Sequence, residues 1–158
     1  MHFPKWRTPG SKILIVTPSD KPCKFYGITR NEWVNDTLAK LKQHTDREII
    51  IRDKAPRRDR IGDSSIYTQL IEDDIYAVVT YNSIAATEAI AFGIPAFADA
   101  PVNAAKTVCS NDFSKIESPY YPDRDQVDKW LQWLAYCQYT AKEIENGTAY
   151  EIQQEYNL

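Results

Sequence analysis

The sequence has few of the residues that build disulfides or metal sites. Its 158 residues include three cysteines, Cys23, Cys109 and Cys137, and two histidines, His2 and His44. An odd number of widely spaced cysteines without a Cys-x-x-Cys pair argues against a disulfide scaffold and favours a reducing compartment. Two histidines argue against a histidine-based metal site. We therefore expect a cytoplasmic protein that binds no metal.

Long apolar runs and an excess of positive charge are also lacking. No run approaches the roughly 20 apolar residues that a membrane helix needs, and residues 1–12 (MHFPKWRTPGSK) lack the apolar core of a signal peptide. The net charge is −3 at neutral pH, whereas a general nucleic-acid binder needs a basic surface. We therefore expect no membrane partner, and the net charge argues against a nucleic-acid partner.

What the chain does carry is an alternation of strand and helix patterns. Four apolar runs predict buried strands at residues 13–17, 48–52, 75–80 and 95–98. The fourth run is short, so it is expected near an edge of the sheet. Helical patterns follow the capping box Thr29–Glu32, the serines at 64 and 65, and Ser83. A long final helix is predicted from a cap at Asp123 to Gly147, and residues 21–27 and most of 100–121 are predicted to be loop.

This order of elements predicts the α/β class, with a single Rossmann-like doubly wound parallel sheet in three layers and a long C-terminal helix. Residues 1–11 are interrupted by Pro4, Pro9 and Gly10 and are predicted to form an N-terminal arm. The remainder, 12–158, contains no linker, repeat or low-complexity tract. We interpret it as one domain.

The segment 77–99 (AVVTYNSIAATEAIAFGIPAFAD) carries the strongest indication of function. It is typical of a strand, a turn, a short helix ended by glycine, and a second strand. Small polar residues between a strand and a helix N-terminus commonly hold a phosphate. Asn82 and Ser83 occupy that place, and Glu88 lies further along the helix, where a carboxylate can reach a ribose. The pattern predicts binding of a nucleotide or a nucleotide sugar.

Asn82, Ser83 and Glu88 also have a purely structural interpretation, as do two further candidates, Asp20 and the basic run 54–60, and the sequence alone leaves the choice open. Asparagine and serine are favoured helix caps in any protein, and glutamate is common on solvated surfaces. Asp20, at the end of the first strand, is a residue type that favours turns. A basic run such as 54–60 (KAPRRDR) is more often an exposed loop than a phosphate clamp.

The stretch 82–97 (NSIAATEAIAFGIPAF) resembles the nucleotide-binding segment in the C-terminal, donor-binding half of GT-B glycosyltransferases. Capsule-polysaccharide transferases and nucleotide-sugar 2-epimerases have a similar turn of small polar residues, an acidic residue, a glycine and a proline. The resemblance covers most of residues 12–147, and the chain is also similar to small phage-encoded proteins of that transferase class. It implies metal-independent glycosyl transfer from a nucleotide-sugar donor, with no further cofactor.

The resemblance implies donor-binding roles for six residues: Ser19, Arg52, Lys54, Asn82, Ser83 and Glu88. The residues of the turn would offer hydroxyl and N–H groups to the diphosphate, and the glutamate would accept from the ribose hydroxyls. The two basic residues would lie near the phosphates or the base, and Ser19 would face the cleft. Such donors and cations stabilise the charge that gathers on a leaving diphosphate. As general base we prefer Asp20 to His44, because His44 is expected at the far end of the first predicted helix.

The chain also departs from the GT-B pattern. Those enzymes have two Rossmann-like domains, and the acceptor-binding half is absent from this sequence. We therefore expect a minimal enzyme, or a piece completed by a second chain or by a homo-oligomer. The alternative is a non-catalytic nucleotide-binding or protein-interaction module. A third hypothesis, a nucleic-acid modification factor that uses Arg57 and Arg58, is the one that the negative net charge argues against.

Overall fold

A computed structural model of the chain describes residues 3–53 and 65–156. Its strands are β1 (Lys12–Val16), β2 (Ile49–Arg52), β3 (Ile75–Thr80) and β4 (Ala96–Ala98). They form one parallel sheet in the order β2-β1-β3-β4. Its helices are α1 (Asp20–Tyr26), α2 (Arg30–Lys42), α3 (Ile66–Glu72), α4 (Ala85–Phe92), α5 (Arg124–Tyr136), α6 (Ala141–Glu145) and α7 (Thr148–Tyr156). The predicted Rossmann-like α/β class is therefore confirmed.

Two apolar cores lie on the two faces of the sheet. Because side chains alternate along a strand, Leu14 and Val16 of β1 pack with α3, α4 and α5 on one face. Ile13 and Ile15 pack with α2 and with a 3₁₀ turn at Phe113–Lys115 on the other face. The continuous apolar runs of the two central strands follow from this burial on both sides. Helices on both faces make the sheet doubly wound and give the three predicted layers.

Sequence signals at the ends of the helices are reproduced by the structure. The side chain of Thr29 caps α2 by accepting a hydrogen bond from the amide of Glu32. Gly93 ends α4 in the left-handed conformation, with φ +90°. The side chain of Asp123 accepts from the amide of Gln126 and opens α5. These capping predictions are confirmed.

Residues 21–27 were expected to be loop, and this prediction is wrong because most of them form α1. The helix begins after Ser19, carries Asp20 in its first turn and ends at Gly27, whose φ is +64°. Proline is tolerated in the first turn of a helix, so Pro22 does not prevent it. Only Cys23 of this helix is buried, so the sequence shows no apolar periodicity there.

The predicted C-terminal helix is present, but it is shorter than the sequence suggested. It ends at Tyr136, and two further helices follow it. Thr140 adopts an extended conformation and forms a capping box with Glu143, which opens α6. A residue that caps a new helix leaves the helical conformation itself, so Thr140 interrupts the predicted continuous helix.

No helix of the described ranges is long and apolar enough to cross a bilayer. The longest, α2 and α5, have 13 residues each.

Residues 3–11 form no helix but dock onto the domain. The side chain of Phe3 is 1% exposed and belongs to the core beside α5. The indole Nε1 of Trp6 donates to the carbonyl of Pro122 at 3.0 Å. The amide of Arg7 donates to the carbonyl of Gly93 at 2.8 Å. The N-terminal arm thus contributes to the packing of the core.

The amino end of the sheet is held by a polar cluster. The Arg47 guanidinium donates to the Glu117 carboxylate, with Nε–Oε1 3.0 Å and Nη2–Oε2 3.1 Å. The same guanidinium lies over the ring of Tyr76, 3.7 Å from its centroid. The hydroxyl of Thr45 also donates to Glu117. Hydrogen bonds from Thr45 and then Arg47 lower the pKa of the Glu117 carboxyl.

At the β4 edge of the sheet, the loop residue Ser110 pairs with the outer strand. The amide of Ala98 donates to the carbonyl of Ser110 at 2.9 Å, and the amide of Ser110 donates to the carbonyl of Ala96 at 3.3 Å. This isolated parallel bridge extends the hydrogen bonding of the sheet beyond β4.

Candidate functional site

The strand order defines one crevice at the carboxyl edge of the sheet. β1 and β3 are neighbours, and the chain leaves β1 toward α1 and α2 but leaves β3 toward α4 on the opposite face. In open parallel sheets, ligands bind outside the carboxyl ends of the strands at such a switch point. The crevice is bordered by the turn 17–19 after β1 and the turn 81–84 after β3. The end of β2 flanks it.

The turn after β3 is held by its own hydroxyl groups. The hydroxyl of Thr80 is buried, donates to the carbonyl of Val16 at 3.2 Å and accepts from the amide of Ser83 at 3.3 Å. The hydroxyl of Ser83 accepts from the amide of Ala85 at 3.2 Å. The amide of Ala86 donates to the carbonyl of Ser83. An anion at this turn therefore competes with the oxygens of Thr80 and Ser83 for the amides.

Glu88 lies in the first turn of α4 and faces α3. Burial raises the pKa of the Tyr67 phenol on α3, and the Glu88 carboxylate raises it further. The Tyr67 ring packs against Phe92, with 5.8 Å between ring centroids. The carboxylate predicted to contact a ribose thus lies on the α3 side of α4.

Of the two predicted basic residues, the structure describes one. Arg52 ends β2, and its Nη1 donates to Oε1 of Gln69 on α3 at 2.8 Å. The guanidinium is therefore directed to the same face of the sheet as Glu88. Lys54, with the rest of the basic run 54–60, lies outside the described residues.

Ser19 and Asp20 lie directly after β1, as predicted. Ser19 occupies the N-cap of α1, where its side chain makes no capping hydrogen bond. The Asp20 side chain is 82% exposed and forms a salt bridge with Arg30, at 2.9 Å between Nη2 and Oδ1. Arg30 also donates through Nε to the carbonyl of Pro18 at 3.0 Å. His44, the other predicted base, follows the carboxyl end of α2 and lies near the amino end of β2.

Sequence reasoning missed a polar cleft between β1, β2 and α2. The hydroxyl of Thr17 donates to Oδ1 of Asp53 at 3.1 Å. The cleft has a volume of about 350 Å³ and is also lined by Asn31, Val34 and Asn35. An aspartate directly after the second strand and two asparagines four residues apart on α2 are the sequence signals that indicate it.

An aromatic cluster closes the crevice on the α2 side of β3. The indole Nε1 of Trp33 donates to Oδ2 of Asp99 at 2.9 Å. The Tyr81 ring meets the rings of Tyr26 and Trp33 edge-on, with centroids 5.4 and 6.0 Å apart. Burial raises the pKa of the Tyr81 phenol. These side chains form an apolar wall beside the carboxyl end of β3.

Comparisons with models of protein families, with curated proteins and with solved structures gave no match. The resemblance to GT-B donor domains therefore stays a prediction. Within residues 3–53 and 65–156, no group of three or more histidine, cysteine or acidic side chains is arranged to hold a metal ion.

Proposed function

We propose that the crevice at the carboxyl ends of β1 and β3 binds the nucleoside diphosphate of a nucleotide sugar, and that the domain transfers the sugar as GT-B-like enzymes do. The observation that carries this proposal is the strand order β2-β1-β3-β4. It brings Ser19, Asn82 and Ser83 to the two neighbouring strand ends where ligands of open parallel sheets bind.

The polar groups around the crevice suit the two parts of such a ligand. The amino end of α4 offers a positive helix dipole and the Ser83 hydroxyl to the diphosphate. Arg52, at the end of β2, offers a guanidinium for the charge that develops on the leaving group, in exchange for its bond to Gln69. Glu88 offers acceptor oxygens to ribose hydroxyls.

One observation favours a second candidate, a nucleotide-binding or protein-interaction module without transfer activity. The proposed base, Asp20, is largely exposed and already paired with Arg30. The carboxylate must leave this guanidinium before it can contact a hydroxyl of the acceptor. In this second candidate, binding remains and any chemistry requires a partner chain that supplies the acceptor site and the base.

Titration calorimetry with UDP, GDP, CMP and dTDP, alone and as sugar conjugates, tests the binding step. We expect one nucleotide to bind, and Ser83→Ala and Glu88→Gln each to weaken it about tenfold, as expected for one lost hydrogen bond to a charged group. Ser118→Ala and Glu151→Gln, at exposed positions away from the crevice, are matched controls. Because Ser83→Ala also removes the hydrogen bond from the amide of Ala85, worth about 1 kcal/mol, binding is measured well below the unfolding temperature of the variant. Wild-type protein that binds none of these compounds would refute the proposal.

Turnover separates the two candidates. The transferase requires release of nucleoside diphosphate from the bound donor, and Asp20→Asn should slow that release while leaving donor affinity within about twofold, because the proposed base acts on the acceptor. Tight binding without release, across a panel of sugar and protein acceptors, would establish the second candidate.

A further inference from the structure

The cleft beside Asp53 adds a subsite to this crevice. We infer that Asp53, oriented by Thr17, binds a vicinal diol of the ligand, from either the ribose or the transferred sugar. This inference rests on the proposed nucleotide binding. This subsite is in addition to Glu88 on α4, because a nucleotide sugar carries one diol on its ribose and another on its sugar. If the ribose occupies the cleft, the sugar diol is left for Glu88.

The carboxylate of Asp53 is held in place by a buried neighbour. Thr17 is 1% exposed, and its hydroxyl donates to Oδ1 of Asp53 at 3.1 Å. Asp53 itself is exposed, and because a threonine side chain has few rotamers, this bond favours one orientation of the carboxylate. A carboxylate in a fixed orientation accepts two neighbouring O–H groups through its two oxygens, which is the pattern that a vicinal diol offers.

The other walls of the cleft complement a hydroxyl-rich group more than an ion. Asn31 and Asn35 lie one turn apart on α2 and present amides, which both donate and accept hydrogen bonds. Arg30 also lines the cleft, but its guanidinium bonds Asp20 and the carbonyl of Pro18. Val34 supplies an apolar surface for the carbon face of a sugar ring. The volume of about 350 Å³ is in the range of small-ligand sites.

The cleft and the turn after β3 flank the same strand end. Asp53 contacts Thr17 on the β2 side of β1, and Thr80 contacts the carbonyl of Val16 on the β3 side. Two strand spacings separate β2 from β3, which is about 10 Å. A single extended nucleotide can therefore place a diol at Asp53 and its diphosphate at Ser83.

The test compares ribonucleotides with their 2′-deoxy forms by titration calorimetry. The probes are UDP with 2′-deoxy-UDP, GDP with 2′-deoxy-GDP, and UDP-glucose. If the ribose occupies the cleft, wild-type protein should bind the ribonucleotide about tenfold more tightly than the deoxy form, and Asp53→Asn should remove most of this preference. Thr17→Val, which removes the orienting hydroxyl, should reduce the preference in part. Asp46→Asn, in the exposed loop before β2, is the control and should keep it.

The other outcomes of these titrations decide which diol occupies the cleft, or refute the subsite or the proposed function. If Asp53→Asn leaves the ribose preference unchanged but abolishes an affinity gain from UDP to UDP-glucose, the diol belongs to the transferred sugar and the subsite stands. If the nucleotides bind and Asp53→Asn changes neither comparison, the subsite is refuted while the proposed function survives. If neither nucleotide binds wild-type protein, the proposed function fails and the inference fails with it.

Discussion

Replacing Gly93 with alanine tests whether the N-terminal arm is an integral part of the core. Gly93 has a φ of +90°, and a Cβ added there would lie 2.5 Å from the carbonyl oxygen of Lys5 and 3.1 Å from the amide of Arg7. The left-handed conformation costs an alanine about 1–2 kcal/mol. The steric conflict must also displace the arm, which breaks the Arg7–Gly93 hydrogen bond and loosens Phe3.

The magnitude follows from these losses. One backbone hydrogen bond is worth about 1 kcal/mol, and complete loss of a buried phenylalanine side chain costs about 3–5 kcal/mol. A partial displacement of Phe3 should therefore bring the total for Gly93→Ala to about 3–5 kcal/mol. Gly147→Ala is the matched control, because its φ is +85° but nothing lies within 4 Å of the added Cβ. It should cost only the conformational part, about 1–2 kcal/mol.

Urea denaturation followed by tryptophan fluorescence measures both free energies of unfolding. For a chain of 158 residues, the expected difference of about 2–3 kcal/mol corresponds to unfolding temperatures roughly 4–12 °C apart. In a protein that lacks residues 1–8, Gly93→Ala should cost no more than Gly147→Ala, since the clashing carbonyl is gone. Equal costs in the chain of 158 residues would refute the docking of the arm.

Two further predictions concern individual side chains. Glu117→Gln should lower the free energy of unfolding by about 1 kcal/mol at pH 7, because the half-exposed carboxylate accepts from Thr45 and Arg47. The pKa of the Glu117 carboxyl is lowered in the folded state, so this stabilisation is complete above the ordinary pKa of 4.5 and is lost as the pH falls through the lowered value. The free energies of unfolding of wild type and variant should therefore converge below about pH 4.5. A constant difference between them down to pH 3 would contradict this. Burial raises the pKa of the Cys109 thiol to about 11, so only about a thousandth of the Cys109 side chains are thiolate at pH 8. Iodoacetamide should therefore label Cys109 far more slowly in the native protein than in urea, as measured by peptide mass spectrometry. Equal labelling rates would contradict the burial.

The central part of the fold was predictable because its sequence signals are local and agree with the tertiary structure. The apolar runs at 13–17 and 75–80 predict strands buried on both faces, and β1 and β3 are the two inner strands. Gly93 ends a helix through its left-handed backbone, and Asp123 begins one through a side-chain cap. Both reasons are local and hold in any context. These features need no knowledge of distant contacts.

The features that the sequence did not predict depend on distant contacts or on competing local ones. α1 has a single buried residue, Cys23, and so shows no helical pattern. The residues after Tyr136 continue an apolar pattern, but Thr140 caps a new helix instead. Phe3 stands among prolines and basic residues that are typical of a loose arm, and only the tertiary structure shows that its ring enters the core.

In the candidate site, too, the positions of the residues were predictable and their side-chain contacts were not. The carboxyl ends of parallel strands lie at one edge of the sheet, so the predicted residues after β1, β2 and β3 necessarily lie near the crevice. The direction of each side chain is set by neighbours that the sequence does not reveal. Arg52 donates to Gln69 on α3, and Asp20 is engaged by Arg30. Asp53 was overlooked because its partner, Thr17, lies on another strand end.

The pairing of Ser110 with β4 has a consequence for association between molecules. An outer strand with unpaired amides and carbonyls is a template on which a strand of another molecule can assemble. Here the amide and carbonyl of Ser110 already occupy the hydrogen-bonding groups of Ala96 and Ala98. A foreign strand would first have to detach this loop residue, so the short, apolar β4 is protected from the intermolecular pairing that leads to aggregation.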